Sequence, residues 1–159
     1  MSGMAFYERL QTDMRLELGS HTFHEDEVIR FARKFDPQPF HLDAERARNS
    51  LFGGLCASGW HTASVWMKHN MVHAPKEWRR VTGYEGEEPE LGPSPGIRNL
   101  RWPAPVFVGD TITFSSTLTG KRINQRRAGW ALLTVYSCGH NQDGTQVLAM
   151  DGAVTLRLD

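Results

Sequence analysis

The chain has 159 residues, 40% of them apolar and 23% charged, with Lys plus Arg equal to Asp plus Glu at 18 each. That composition excludes a disordered chain, and the charge balance argues against a dedicated nucleic-acid binder or a polybasic membrane binder. Two cysteines, Cys56 and Cys138, stand far apart in no metal-like spacing, so reduced thiols are expected instead of a disulfide framework.

The first ten residues carry Glu8 and Arg9 and lack the apolar core of a signal peptide. No run approaches the ~18 apolar residues of a membrane span. A soluble, cytoplasmic chain forming one domain over 1–159 is expected.

Residues 1–13 read as a loose arm. Met14, Leu16 and Leu18 alternate with Arg15 and Glu17, which predicts a short strand ended by Gly19-Ser20. From Thr22 to Phe35 the pattern is an amphipathic helix. Val28, Phe31, Ala32 and Phe35 share one face, and Thr22 with Glu25 fits a capping box. Pro37 stops this helix and leaves Asp36 at its end.

Phe35-Asp36-Pro37-Gln38-Pro39-Phe40-His41-Leu42-Asp43 then places a carboxylate and an imidazole on one proline-stiffened loop. Such a loop suits acid–base chemistry. Taken alone, it reads equally well as a helix-breaking turn in which Asp36 or Asp43 only caps. Asp43 can cap a short helix over 44–48.

Ser50 to Gly59 is a glycine-bearing approach to a helix over about 59–73. That helix contains Val65, Trp66, Met67, Met71 and Val72, with Lys68 as its only formally charged residue, and is expected to be mostly buried. Residues 74–96 hold four prolines, four glycines and an acidic cluster at Glu85, Glu87, Glu88 and Glu90. They read as a surface excursion that could cover a pocket, with the acidic cluster as solvated surface.

From Ile97 the chain is β-rich. Segments 97–102 and 106–108 flank Pro103-Ala104-Pro105, which must bulge or lie at an edge. Strands are expected over 111–119, 129–139 and 147–158, with a polar connection at 121–127 and a turn at Asn141-Gln142-Asp143-Gly144. Long strands joined by short turns after a long helix make an antiparallel meander, so the class is α+β.

Asp36-Pro37-Gln38-Pro39-Phe40-His41 resembles the Asp-x-Asn-Pro-x-His signature of the MaoC-like acyl dehydratases, which include the (R)-specific enoyl-CoA hydratases. Phe52-Gly53-Gly54, Ala57-Ser58-Gly59 at the helix start, and Pro105-Val106-Phe107-Val108-Gly109-Asp110 follow in the family's order. The resemblance spans about residues 22–158. Gln38 departs from it, standing where the family has Asn, and the 74–96 excursion is long for the family.

The resemblance implies a hot-dog fold, a long central helix wrapped by an antiparallel sheet. It also implies reversible hydration of a trans-2-enoyl-CoA or acyl-carrier thioester. Asp36 would be the base, and His41 the partner that orients water and shuttles its proton. The thioester oxygen would be met at the helix N-terminus around Gly59, with Ser58, Trp60 and Gly54 nearby. No cofactor and no metal are implied, and a homodimer or higher homo-oligomer is expected.

Other residues receive plainer readings. His69 and His73 have i, i+4 spacing, yet no Glu or Cys nearby completes a metal site, so polar-face histidines are expected. Trp60 and Trp66 could line an acyl pocket or be core. Lys121, Arg122, Arg126 and Arg127 could meet coenzyme A phosphates or form a solvated turn. A thioesterase on the same fold and a non-catalytic acyl-thioester-binding or regulatory module remain as alternatives.

Overall fold

The computed structural model describes residues 2–159. Five antiparallel strands, β1 (Arg15–Thr22), β2 (Ile97–Arg101), β3 (Thr111–Ile123), β4 (Trp130–His140) and β5 (Gln146–Arg157), form one sheet in the order β1-β3-β4-β5-β2. Alternation puts Ile112, Phe114 and Leu118 of β3, Leu133 of β4 and Leu148, Met150 and Leu156 of β5 in the core, all essentially inaccessible to solvent. The long helix α5 (Gly59–Thr82) completes the hot-dog layout that the resemblance implies, and its Trp66, Ala74 and Trp78 join that core. The remaining helices are α1 (Ser2–Arg9), α2 (Glu25–Phe35), α3 (Pro39–Leu42) and α4 (Ala44–Arg48).

The expected arm is partly a helix. Phe6 and Leu10, one helical turn apart, are both 1% exposed, and the Phe6 ring meets Trp78 edge-on at 6.0 Å. Met1 lies outside the described residues. β1 does not end at Gly19-Ser20 but runs on to Thr22 through a bulge between Glu17 and Gly19. Gly19 has φ +83°, and a side chain there would press on His69 and His73. Thr22 therefore belongs to β1, and His24 is the N-cap of α2, its amide donating to Glu27 at 2.9 Å.

Helix α5 is 24 residues long and passes through Pro75. Proline removes one amide and frees the carbonyl of the preceding turn. That turn, at Met71 and Val72, is exposed, so water can take over the carbonyl. The helix is buried along one face only. Met67, Met71, Val72 and Trp60 are exposed. The excursion therefore shrinks to residues 83–96, where Gly92 donates to Thr155 and Glu90 accepts from the Arg157 amide. This continues the β2 edge along β5.

Strand β3 extends four residues beyond expectation to Ile123. Residues 106–108 make only an isolated bridge, Phe107 to Cys56. Among the described residues, no helix is long and apolar enough to cross a membrane.

Candidate functional site

Three pieces of chain meet at the N-terminus of α5. The first is the end of α2, where Asp36 is the C-cap and its amide bonds the Ala32 carbonyl. Pro37 forbids a further helical turn, and Pro39 starts the one-turn helix α3, which carries His41. The second is the stretch 55–57, tied to the segment after β2 by Ala57 N–H to the Val106 carbonyl and Val108 N–H to the Leu55 carbonyl. The third is the start of α5, where Ser58 is the N-cap and accepts from the Trp60 amide.

These pieces bring Asp36 and His41 together, with His41 Nε2 3.4 Å from Asp36 Oδ2. The imidazole is buried and the carboxylate nearly so. His41 Nδ1 lies 2.7 Å from the Cys56 carbonyl oxygen, which can only accept. The Nδ1 hydrogen is therefore fixed, and Nε2 is left facing the carboxylate. Asp36 is held at both oxygens. Ser58 Oγ donates to Oδ2 at 2.7 Å, and Gln38 Nε2 donates to Oδ1 at 2.8 Å. The longer Gln38 thus reaches the carboxylate directly, a contact its position opposite the family's Asn did not foretell.

Asp36, Gln38 and His41 open on a cavity of about 430 Å³ lined also by Phe40, Phe52 and Thr62. Trp102 and Val106, from the chain after β2, and Val147 of β5 complete its apolar part. Polar groups thus converge at one end of an otherwise apolar cleft, the usual character of a small-molecule site.

The other expected site residues divide. Gly59 and Trp60 line the cavity. A side chain at Gly59 would lie 2.5 Å from the Trp102 indole, so only glycine fits there. As the first residue of α5, Gly59 also has an amide with no intrahelical acceptor. Ser58 is fully buried behind the cavity wall and spends its hydroxyl on Asp36. Gly54 is not among the lining residues and lies against Phe107. Cys56 borders the cavity, but burial pushes its thiol up to about 11, which keeps it protonated and inert.

Several further candidates are occupied elsewhere. His69 Nδ1 donates to the Leu18 carbonyl at 2.8 Å. Among the described residues, no three His, Cys, Asp or Glu side chains group as metal ligands. Lys121 donates to the Tyr7 carbonyl and sits over the Tyr7 ring, fastening α1 to β3, and Arg127 stacks on Trp130. Arg98, Arg122 and Arg126 border a second, larger cavity of about 1080 Å³. Pro95 and Gly96 border this second cavity and not the one at Asp36, so the 83–96 segment is no lid on the candidate site. Its four glutamates are exposed, as expected of solvated surface.

Residues 8–135 match the family model described as MaoC like domain. A MaoC-like dehydratase from Rhodospirillum rubrum is 32% identical, with a TM-score of 0.79 and 96% of each chain covered. A monoamine oxidase regulatory protein from Archaeoglobus is 26% identical, with a TM-score of 0.77 over 96% of this chain and 94% of the other. An (R)-hydratase from A. caviae is 23% identical and shares the fold at a TM-score of 0.64, over 94% of this chain and 98% of the other.

Proposed function

The chain belongs to the MaoC-like domain family, and from that premise we propose that it is an enoyl-thioester hydratase/dehydratase. It would add water reversibly across the trans-2 double bond of an acyl thioester carried by coenzyme A or an acyl-carrier protein. The observation that carries this reading is the convergence of Asp36 and His41 on one cavity, with His41 Nδ1 spent on the Cys56 carbonyl, Nε2 facing Asp36 Oδ2, and the carboxylate held by Ser58 and Gln38.

In this mechanism a water on the cavity side of the pair hydrogen-bonds both the Asp36 carboxylate and His41 Nε2. Asp36 takes a proton as the water oxygen bonds to Cβ. The electron pair of the alkene moves toward the thioester oxygen, giving an enolate-like species. The proton returns through His41 Nε2 to Cα, the enolate collapses, and both side chains end as they began. Ser58 and Gln38 are positioning residues that hold the carboxylate lone pairs on the water. The Gly59 amide, at the positive end of α5, meets the oxygen that gains charge. Trp60 and Trp102 flank the thioester. Gly54 has no part in this scheme.

The functional unit is a homodimer. Support comes from β2, which is an unpaired edge, and from the exposed Met67, Met71 and Val72 on α5. Light scattering on the purified protein tests it, and a monomer at micromolar concentration would contradict it.

The chemical test is hydration of short and medium trans-2-enoyl-CoA, followed by loss of the conjugated thioester absorbance. Asp36→Asn and His41→Ala should each lower kcat about 10³-fold while the fold is retained. Thiol release without hydration would make the protein a thioesterase. Acyl-CoA binding without either reaction would make it a binding module, a reading that the likeness to a regulatory protein keeps in view.

A further inference from the structure

Helix α5 carries three hydroxyl side chains, Thr62, Ser64 and Thr82. Ser64 and Thr82 spend theirs on the carbonyl four residues back, Trp60 at 2.7 Å and Trp78 at 2.6 Å, the common habit of Ser and Thr inside a helix. Thr62 does not. The carbonyl four residues before it belongs to Ser58 and already accepts from the His61 and Thr62 amides at 2.9 and 3.2 Å. Among the described residues the Thr62 hydroxyl has no hydrogen-bond partner. Yet Thr62 is only 1% exposed, and it lines the cavity at Asp36 and His41.

The Gly59 amide is left over in the same way. Ser58 Oγ takes the Trp60 amide, and the Ser58 carbonyl takes the two after it. Gly59 therefore holds the first-turn amide without an acceptor. Gly59 and Thr62 stand at i and i+3, neighbours on one face of the helix, and both line the cavity. Side chains on a helix lean toward its N-terminus, over the turn before their own Cα. For Thr62 that turn is the one bearing Gly59.

We propose that the Thr62 hydroxyl is a second donor to the thioester oxygen, beside the Gly59 amide, and so a catalytic residue of the hydration. This rests on the hydratase reading and adds a residue to its site. A carbonyl oxygen has two lone pairs and can accept from both donors. A hydroxyl this buried and unpaired gains a hydrogen bond when a ligand brings an acceptor into the cavity. The one carboxylate that lines the cavity, Asp36, already accepts from Ser58 and Gln38. As the alkene electrons move toward the thioester oxygen, both hydrogen bonds to it strengthen, and Thr62 keeps its proton throughout.

The test compares Thr62→Val, which keeps the shape and loses the hydroxyl, with Thr62→Ser, which keeps the hydroxyl. With trans-2-butenoyl-CoA, Thr62→Val should lower kcat about 100-fold, the effect of one lost oxyanion donor, with KM little changed. Thr62→Ser should recover most of that rate. A second readout needs no turnover. Butanoyl-CoA labelled with ¹³C at its carbonyl should show an infrared carbonyl band moved to lower frequency on binding the wild type. Thr62→Val should return that band part of the way toward its position in water. A wild-type kcat and an unmoved band in Thr62→Val would overturn the Thr62 role and leave the hydratase reading standing. Equal losses in Thr62→Val and Thr62→Ser, or a loss without the band change, would overturn it too, because packing alone would explain them. No hydration by the wild type would overturn the hydratase reading, and the carbonyl band would still decide whether Thr62 meets the thioester oxygen.

Discussion

The two ends of α5 are built from the same kind of helix and do different work. Its first turn is crowded with polar contacts that cross between elements. The Ser58 hydroxyl serves Asp36 and the Trp60 amide, and Gly59 lies against the Trp102 indole. Its last turns pack Trp78 against Phe6 and tie the helix to its neighbours: the Glu17 amide donates to Glu77 at 2.8 Å, Arg80 donates to the Arg15 carbonyl at 3.2 Å, and Arg9 donates to the Gly83 carbonyl at 3.0 Å. The first end fixes atoms in relation to a cavity, and the last end anchors the helix. Substitutions should therefore separate activity from stability according to which end they touch.

The largest loss of stability is expected at the far end. Trp78→Ala removes a buried indole that α1 packs against, and should cost about 3–5 kcal/mol. Chemical denaturation measures it, and kcat per folded molecule should be unchanged. A fall in kcat at full folding would blur the division. Ser58→Ala acts at the other end and should show the reverse balance. Losing the N-cap costs about 1 kcal/mol. Releasing Asp36 should lower kcat about 10- to 100-fold. A Ser58→Thr variant that keeps the hydroxyl should recover part of that rate.

Stability also depends on pH, and the two ends titrate in different windows. Burial pushes His61 down to about 4 from an ordinary 6.5. The unfolded chain then takes up this proton before the folded one does, so stability falls between about pH 6.5 and 4. His61→Phe should flatten that limb. The Arg80 hydrogen bond holds the Glu77 carboxyl below its ordinary 4.5. Its contribution is present above that value and is lost as pH falls through the lowered folded value. Glu77→Gln should therefore change the denaturation curve only in the more acidic window. A flattening of the 6.5-to-4 limb by Glu77→Gln would assign that limb wrongly here.

The same comparison shows what could be read from the sequence. The first end was legible because its residues are punctuation. Pro37 ends α2, Pro39 starts α3, Asp43 caps α4 through the Arg46 amide at 2.8 Å, and Ser58 precedes Gly59. Local rules fix such features, and Asp36 and His41 came with them. The far end was not legible, because Pro75 reads as a stop in isolation and is tolerated where the freed carbonyl reaches water. Helix α1 had a signal that the arm reading passed over. Gly3, Phe6, Tyr7 and Leu10 fall at i, i+3, i+4 and i+7, and Gly3, Phe6 and Leu10 are buried. The contact of Ser58 with Asp36 and that of Gly59 with Trp102 join residues far apart in the chain. No local pattern encodes those distances.

The most direct test of the central claim is the double variant Asp36→Asn/His41→Ala beside the two single variants, all assayed for hydration of one trans-2-enoyl-CoA. If the two side chains act on a single water as one unit, the double variant should be about as slow as the slower single variant. Losses that multiply, so that the double variant falls by the product of the two single effects, would show that Asp36 and His41 act independently and would contradict the shared-water mechanism.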